Sequence, residues 1–339
     1  MRSLLAVLLI AGCASQSQPE HRDLDPLGAF LLGEAQQAYR SGAYTQTIQL
    51  LDSAEQYIPE LADLWFLRGL VLSRLYRFDV SDSAFGKVVA LDPSYRSARF
   101  NMGHNAFLQS SVLFRDGFRL ALRHYQQEEA LLRKAVEKGS EHAGDREGLA
   151  SVLLQIGTTY GQLQLPDSAM WAYLQAIDVD SSNARGYAWL AAAQQAAGEL
   201  EDALASARRS AEIDPDNLEH RLLVGVLLSE SDRHEEALPH LAEVARREPW
   251  NRTAIYNLGR AMIDAGDSAD GQAYLARADT LEIMRAEIEQ SHLRLFQNPE
   301  DPVLWENYAY LLHRAGQDTE ARRAVGVLRH LEQRAIASR

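Results

Sequence analysis

Cysteine is almost absent from this sequence of 339 residues, which contains only one, Cys13. A single cysteine excludes an intramolecular disulfide and any metal site built from several thiolates. Basic residues are also outnumbered, since 34 Lys and Arg face 47 Asp and Glu and leave a net charge of −13. Such a chain is unsuited to general nucleic-acid binding, which needs clustered basic residues, so we expect no nucleic-acid partner. With 46% hydrophobic residues and only 10 prolines, most of the chain is expected to fold.

The first thirteen residues have the layout of a secretory signal. A positive charge at Arg2 precedes an apolar run over residues 4–10, which is too short to span a bilayer, and two small residues then precede Cys13. The string Leu-Ile-Ala-Gly-Cys at 9–13 resembles the lipobox of bacterial lipoproteins, where signal peptidase II cuts before the cysteine and the thiol carries diacylglycerol. We therefore expect a signal peptide at 1–12, lipidation of Cys13, and a flexible tether within 13–27. The alternative is a free thiol behind an ordinary leader.

The residue after the cysteine bears on location. It is Ala14 rather than Asp, which resembles lipoproteins that are sorted to the outer membrane of Gram-negative bacteria. The resemblance implies a protein that is lipid-anchored to the bacterial outer membrane, faces the periplasm and touches the bilayer through its acyl anchor only. The tether spans about 20 Å by random-coil scaling.

A period of 34 residues runs through the rest of the chain. In frames that start at residues 28, 62, 96, 150, 184, 218, 252 and 302, the eighth position is always small. Those residues are Ala35, Gly69, Gly103, Gly157, Ala191, Gly225, Gly259 and Ala309. Position twenty is also small in the regular frames, and four frames have a proline at position 32. Small residues let two antiparallel helices approach closely, and the proline ends the second helix.

These positions closely resemble the tetratricopeptide repeat (TPR) family. Trp65, Gly69, Ser81, Phe85 and Pro93 match its signature positions, while Arg68 stands in place of the usual leucine. A second set repeats the match: Tyr187, Leu190, Ala191, Ala203 and Pro215. The resemblance implies an all-α fold, a right-handed α-solenoid of about eight TPR-like helix-turn-helix repeats.

Two frames are longer than the others. The frame from residue 96 has 54 residues and the frame from 252 has 50. We therefore predict repeats 1–2 at 28–95, an extended repeat 3 at 96–149, repeats 4–7 at 150–285, an extra helical segment at 286–301, and repeat 8 with a capping helix at 302–339. The first insertion forms longer helices that pack on their neighbours or a flap that contacts a partner. The second prolongs a helix or adds one. An apolar stripe beginning at Val325 is either a cap on the last repeat or a dimer face.

Signatures of catalysis and metal binding are missing from the sequence. It has no GxxxxGK[ST] phosphate loop, no GxGxxG and no GxSxG. His234 and His240 are six residues apart, which fails the one-turn spacing that brings two imidazoles to one zinc ion. We therefore predict that the protein is not an enzyme and binds neither a metal nor a cofactor.

The TPR resemblance also implies a binding surface. In this family, positions 2, 5, 9, 12 and 13 of each first helix line a concave groove. In the N-terminal half, these positions carry Tyr39, Arg40, Phe66, Arg74, Phe100, His104 and Phe107, and in the C-terminal half Arg185, Tyr256, Arg260, Tyr310 and Arg314. Aromatic residues and arginines often dominate protein interfaces. Alternatively, Phe66, Phe100 and Phe107 pack on one another inside the array. The Lys and Asn that clamp a carboxylate in chaperone-binding members are absent.

Two functions follow as hypotheses. The first is a membrane-anchored periplasmic scaffold or adaptor that holds an envelope protein or peptide in its concave groove. The second is a periplasmic module that binds a small molecule or glycan, which predicts a closed pocket rather than an open groove.

Overall fold

The computed structural model describes residues 24–110, 115–139 and 143–337. Within these ranges the chain forms sixteen α-helices and no β-strand. The first eight are α1 (Pro26–Arg40), α2 (Tyr44–Glu55), α3 (Ala62–Arg74), α4 (Phe78–Leu91), α5 (Ala98–Gln109), α6 (Asp116–Glu137), α7 (Ala143–Gln162) and α8 (Pro166–Val179). The others are α9 (Ala184–Ala197), α10 (Leu200–Ile213), α11 (Leu218–Glu230), α12 (His234–Arg247), α13 (Arg252–Asp264), α14 (Ser268–Gln297), α15 (Pro302–Arg314) and α16 (Asp318–Ala337). In this part of the chain, no helix is apolar over enough residues to cross a bilayer.

Successive helices pack in pairs, from α1 with α2 to α15 with α16. The described chain thus forms eight helix-turn-helix units, which confirms the predicted all-α, TPR-like class. The predicted signal peptide and Cys13 lie outside the described residues, as do residues 111–114 and 140–142 of the first insertion.

The first helix begins earlier than the predicted tether allows. Asp25 caps α1 by accepting hydrogen bonds from the backbone N–H groups of Leu27 (2.9 Å) and Gly28 (3.0 Å), and Pro26 occupies the first helical position. An Asp cap followed by proline favours helix initiation. Residues 26 and 27 therefore belong to the helix.

The small residue at position eight has a structural cause. A Cβ atom built on Gly69 would lie 2.5 Å from the ring of Phe85, and one on Gly103 would lie 2.7 Å from the ring of Tyr125. The same position in α11, Gly225, faces Leu241 of α12 at 2.8 Å. In these three pairs, a large side chain from the second helix thus fills the space where the first helix has none.

Each regular pair also turns in the same way. The residue at position fifteen of the frame has a positive φ angle, in the left-handed region that ends many helices. It is glycine in four pairs, at residues 42, 198, 266 and 316. In the other three it is Tyr76 (φ 58°), Gln164 (φ 61°) and Asp232 (φ 58°).

The chain divides into two compact units, residues up to Gly186 and residues from Tyr187 onward. In the first unit, α1 to α5 share one apolar core whose fully buried side chains include Leu51, Leu64 and Phe85. In the second unit, a core runs from Ala191 to Ala278, and a smaller separate cluster joins α15 to α16. Val325 packs against this smaller cluster, as a capping helix requires.

The first insertion lengthens α6 and α7, and both of these helices support α5. Glu128 of α6 accepts a hydrogen bond from the backbone N–H of Ser97 (2.6 Å), at the start of α5. Ser97 itself makes no side-chain cap, so a carboxylate from the neighbouring helix serves as one. Asp145 of α7 pairs with Arg96 just before α5. Burial raises the pKa of Glu128, although the two amide donors of Ser97 and Phe100 oppose that shift.

The second insertion is a single helix, since α14 runs without interruption for 30 residues. Its N-terminal half packs on α13, where Gly271 meets Gly259 and Glu282 pairs with Arg252 (3.2 Å). Its C-terminal half packs on α15. There Ser291 accepts a hydrogen bond from Asn307 (3.4 Å), and the rings of His292 and Tyr308 stack at 5.6 Å. The two contact regions are centred about 14 residues apart, or about 20 Å along the helix.

Candidate functional site

Two of the predicted groove residues in the first unit are buried. Phe66 is only 7% exposed, and its ring packs on Phe85 of α4 (5.7 Å) and on Tyr95 (5.1 Å). His104 is likewise 7% exposed. Both positions were expected to face a partner, but the adjoining helices cover them, so they belong to the packed interior of the unit.

The other two phenylalanines of the groove prediction are half-buried. Phe100 packs on Tyr125 (5.5 Å), and Phe107 packs on Phe118 (5.2 Å), both on the long helix α6. Each of the three phenylalanines thus packs on an aromatic ring from another segment. The concave positions of repeats 2 and 3 are largely filled by the protein's own side chains.

His104 is neutral at physiological pH. Burial, together with the nearby positive charge of Arg74, lowers its pKa from 6.5 to about 4. Beside it, the buried amide of Asn105 donates to Ser81 (3.0 Å) and Asp82 (2.7 Å) and accepts from Ser73 (2.6 Å). This network ties α3, α4 and α5 together. Sequence reasoning missed it because an asparagine inside a repeat carries no signal of its partners.

Arg40 and Arg74 remain exposed in the first unit. They occupy position 13 in successive repeats, at the C-terminal ends of α1 and α3, and neither forms an ion pair with a described carboxylate. Tyr39 is half-buried against Tyr44 (5.9 Å). Arg185 is exposed at the start of α9. Of the residues predicted for the N-terminal groove, only the two arginines are therefore exposed, while the aromatic residues are buried or half-buried.

The second unit exposes two pairs of arginine and tyrosine. Tyr256 is 37% exposed with the guanidinium of Arg252 over its ring (5.7 Å), and Tyr310 is 57% exposed with that of Arg314 over its ring (5.7 Å). Arg260 lies one turn beyond Tyr256 and approaches Asp264 at 3.7 Å. Such exposed contacts contribute little to stability, so these side chains are available to a partner.

The two pairs do not form one continuous row. Tyr256 lies on α13, which packs on the N-terminal half of α14, whereas Tyr310 lies on α15, which packs on the C-terminal half. The sequence period predicts that they lie in adjacent repeats. Because α14 is long, however, the regions in which α13 and α15 contact it lie about 20 Å apart along its axis. The C-terminal groove prediction therefore resolves into two patches.

The described surface offers open depressions. One, of about 270 Å³, lies beside the turn between α3 and α4, and another, of about 230 Å³, lies between α14 and α15. Neither is the closed pocket that the small-molecule hypothesis requires. No group of three or more His, Cys, Asp or Glu converges on a potential metal position among the residues that the structure describes.

Stacked helix pairs with small residues at each crossing and exposed aromatic and arginine side chains define a helical repeat protein of the TPR type. Sequence models of the tetratricopeptide repeat match residues 150–183 and 228–280, so the chain contains tetratricopeptide repeats. Proteins built from these repeats mediate protein–protein interactions and are generally not catalytic. No curated protein matches the sequence significantly.

Solved structures share the fold. The chain is similar to PilW, described as a widely conserved type IV pilus biogenesis factor, with 14% identity and a TM-score of 0.54 over 68% of this chain and 97% of that one. It is also similar to PilF of Pseudomonas aeruginosa, with 15% identity and a TM-score of 0.53 over 67% of this chain and 95% of that one. At these identities the likeness establishes the helical-repeat fold.

Proposed function

We propose that the protein is a scaffold of the bacterial cell envelope, anchored to the outer membrane by an acylated Cys13, that binds a segment of another envelope protein. One observation carries the binding part of this proposal: the second unit exposes two aromatic rings, each with a guanidinium beside it, on first helices of its repeats. In this repeat class, those helices face the bound segment. Rings and guanidinium groups are also the side chains that most often dominate interface energies.

The geometry indicates how such a segment is held. Tyr256 and Tyr310 each offer a partly exposed ring for apolar contact, while Arg252 and Arg314 offer N–H donors beside it. Because the two patches are about 20 Å apart along α14, a single segment that reaches both spans at least six residues in an extended conformation.

The anchoring part rests on the sequence. The lipobox-like string ends at Cys13, and α1 begins at Pro26, so twelve residues separate the acyl chains from the first helix. A tether of that length keeps the repeat units close to the bilayer surface.

Binding can be tested by crosslinking in cells with full-length protein. We expect a defined envelope protein to crosslink to wild type and to a Tyr57→Ala control, since Tyr57 is 44% exposed but lies just after a second helix. A Tyr256→Ala/Tyr310→Ala variant is expected to lose about tenfold or more of that product. Equal recovery from all three proteins contradicts the proposal. Phe66 is unsuited to this test, because truncating a buried ring destabilises the fold.

Anchoring has a separate test. Metabolic labelling with an alkyne fatty acid should label the wild-type protein, and a Cys13→Ser variant should lose the label and leave the outer-membrane fraction. A wild-type protein without label is not a lipoprotein, whatever the crosslinking experiment shows.

A further inference from the structure

The turn between α3 and α4 departs from the turns of the other repeats. Its left-handed residue is Tyr76, where four of the seven regular pairs have glycine and two have Gln or Asp. This backbone region is unfavourable for a bulky aromatic residue. The side chain gains little burial in return, since Tyr76 is 78% exposed, with its ring against the edge of Phe78 at a centroid distance of 5.9 Å. A locally unfavourable residue without structural compensation points to function.

An open depression with a mixed polar and apolar lining adjoins this tyrosine. It has a volume of about 270 Å³ and is lined by Tyr76, Arg77, Phe78, Asp79, Val80 and Gln109. Leu75 and Val80 are also exposed, at 39% and 45%. The depression is open, and it is large enough to receive one aromatic or branched aliphatic side chain. We call the surface formed by residues 74–80 and Gln109 the Tyr76 edge.

The Tyr76 edge also carries unneutralised positive charge. Arg74 and Arg77 flank the tyrosine, are exposed, and form no ion pair with any carboxylate of the described residues. Elsewhere in the first unit, Arg68 pairs with both Asp52 and Glu55. Asp79 is the one carboxylate in the lining. In a chain with a net charge of −13, these two arginines next to the exposed apolar side chains of the turn favour a ligand that combines negative charge with an apolar group.

We propose that the Tyr76 edge is a second docking surface, which binds a linear protein segment with an Asp or Glu beside an aromatic or aliphatic residue. The apolar side chain enters the depression, the ring of Tyr76 covers it, and the guanidinium groups donate paired hydrogen bonds to the carboxylate. The surface is built by a turn between two helices of a pair. It is therefore distinct from the first-helix patches around Tyr256 and Tyr310, and it holds whether or not the protein is lipidated.

Peptide selection tests this proposal. The full-length protein, purified in detergent, is immobilised and exposed to a displayed library of random twelve-residue peptides. We expect enrichment of sequences with Asp or Glu adjacent to Phe, Tyr, Trp, Leu or Ile. A labelled synthetic peptide of the enriched sequence is then measured by fluorescence anisotropy. Enrichment without this acidic–apolar pairing overturns the proposal.

Two variants locate the binding site. Arg77→Glu should weaken the peptide about tenfold or more by reversing one charge. Tyr76→Gly should weaken it by a similar factor while raising the melting temperature, because glycine suits the left-handed turn. A loss of binding together with a gain in stability cannot come from misfolding. If either variant binds the peptide as tightly as wild type, the proposal is wrong.

Matched controls separate this surface from the rest of the molecule. Asp232→Gly makes the same kind of change at the same turn position in the second unit, where φ is also 58°, and should leave peptide binding unchanged. Tyr256→Ala/Tyr310→Ala should also leave it unchanged. Loss of binding in that double variant assigns the peptide to the first-helix patches and overturns the proposal for the Tyr76 edge, while supporting the proposed function.

Discussion

Single residues set how closely the two helices of a pair approach, and α7 offers a clean test. A Cβ atom on Gly157 would overlap the ring of Tyr173 from α8, whereas Gly161, one turn further along the same helix, has open space around its Cβ position. We expect Gly157→Ala to lower the free energy of unfolding by about 2 kcal/mol, because the ring or the helix must shift. Gly161→Ala should raise it by about 0.5 kcal/mol through its higher helix propensity. Urea unfolding measures both, and changes of the same sign in the two variants contradict this account.

A buried histidine makes stability depend on pH. The pKa of His104 is about 4 in the folded protein and 6.5 when unfolded, so the unfolded chain binds the additional proton first as the pH falls. Above pH 6.5, His104 makes its full contribution to the free energy of unfolding. That contribution is lost progressively between pH 6.5 and about 4, by up to about 3 kcal/mol. Burial also lowers the pKa of His124 and His240, which adds a loss of the same sign.

Urea unfolding at pH 7.5, 6, 5 and 4.5 measures this dependence. We expect a His104→Gln variant to lose less stability than wild type over that range. A His313→Gln variant changes an exposed side chain on the surface of α15, so it should retain most of the wild-type loss. Identical pH profiles for wild type and His104→Gln would falsify the assignment to this residue.

At the scale of helices, the sequence predicts which helices pair, but it does not predict where the inserted residues pack. The period of small residues predicts each crossing because residues such as Gly69 and Gly259 lie where the two helices of a pair approach most closely. It carries no information on how far α14 continues, or on the half of α14 that receives α15. Likewise, the position of Phe66 in the repeat predicts a groove residue, whereas its burial depends on Phe85 and Tyr95, whose arrangement only the folded array determines.

The support that α6 gives to α5 leads to a prediction at this scale. Glu128 is 1% exposed and accepts the N–H of Ser97, so truncating it leaves buried donors unpaired at the start of α5. We expect Glu128→Ala to lower the free energy of unfolding by about 1–3 kcal/mol. Glu128→Gln keeps an acceptor oxygen and should cost less. If Gln and Ala cost the same in urea unfolding, the cap contributes nothing and Glu128 acts only by filling space.

At the scale of the whole molecule, apolar burial is unevenly distributed. Among the described residues of the second unit, the main core has sixteen buried apolar residues, from Ala191 to Ala278, whereas the cluster that holds α15 to α16 has four. In repeat proteins, stability is approximately a sum of repeat and interface contributions. The last pair contacts the second half of α14 through this small cluster, with Ile288 and Trp305 at its edge. It should therefore open more readily than the pairs before it.

Hydrogen exchange followed by mass spectrometry tests, in the intact protein, whether the last pair opens more readily than the pairs before it. We expect amides of α15, α16 and residues 288–297 of α14 to exchange faster than those of α11 to α13, because local opening of the last pair exposes far less apolar surface. Ile288→Ala should speed exchange further in the last pair and leave α11 to α13 unchanged. Leu241→Ala, which removes a fully buried side chain of the main core, should speed exchange in α11 to α13. If Ile288→Ala speeds exchange equally across the unit, the prediction is wrong, because the last pair then unfolds cooperatively with the main core.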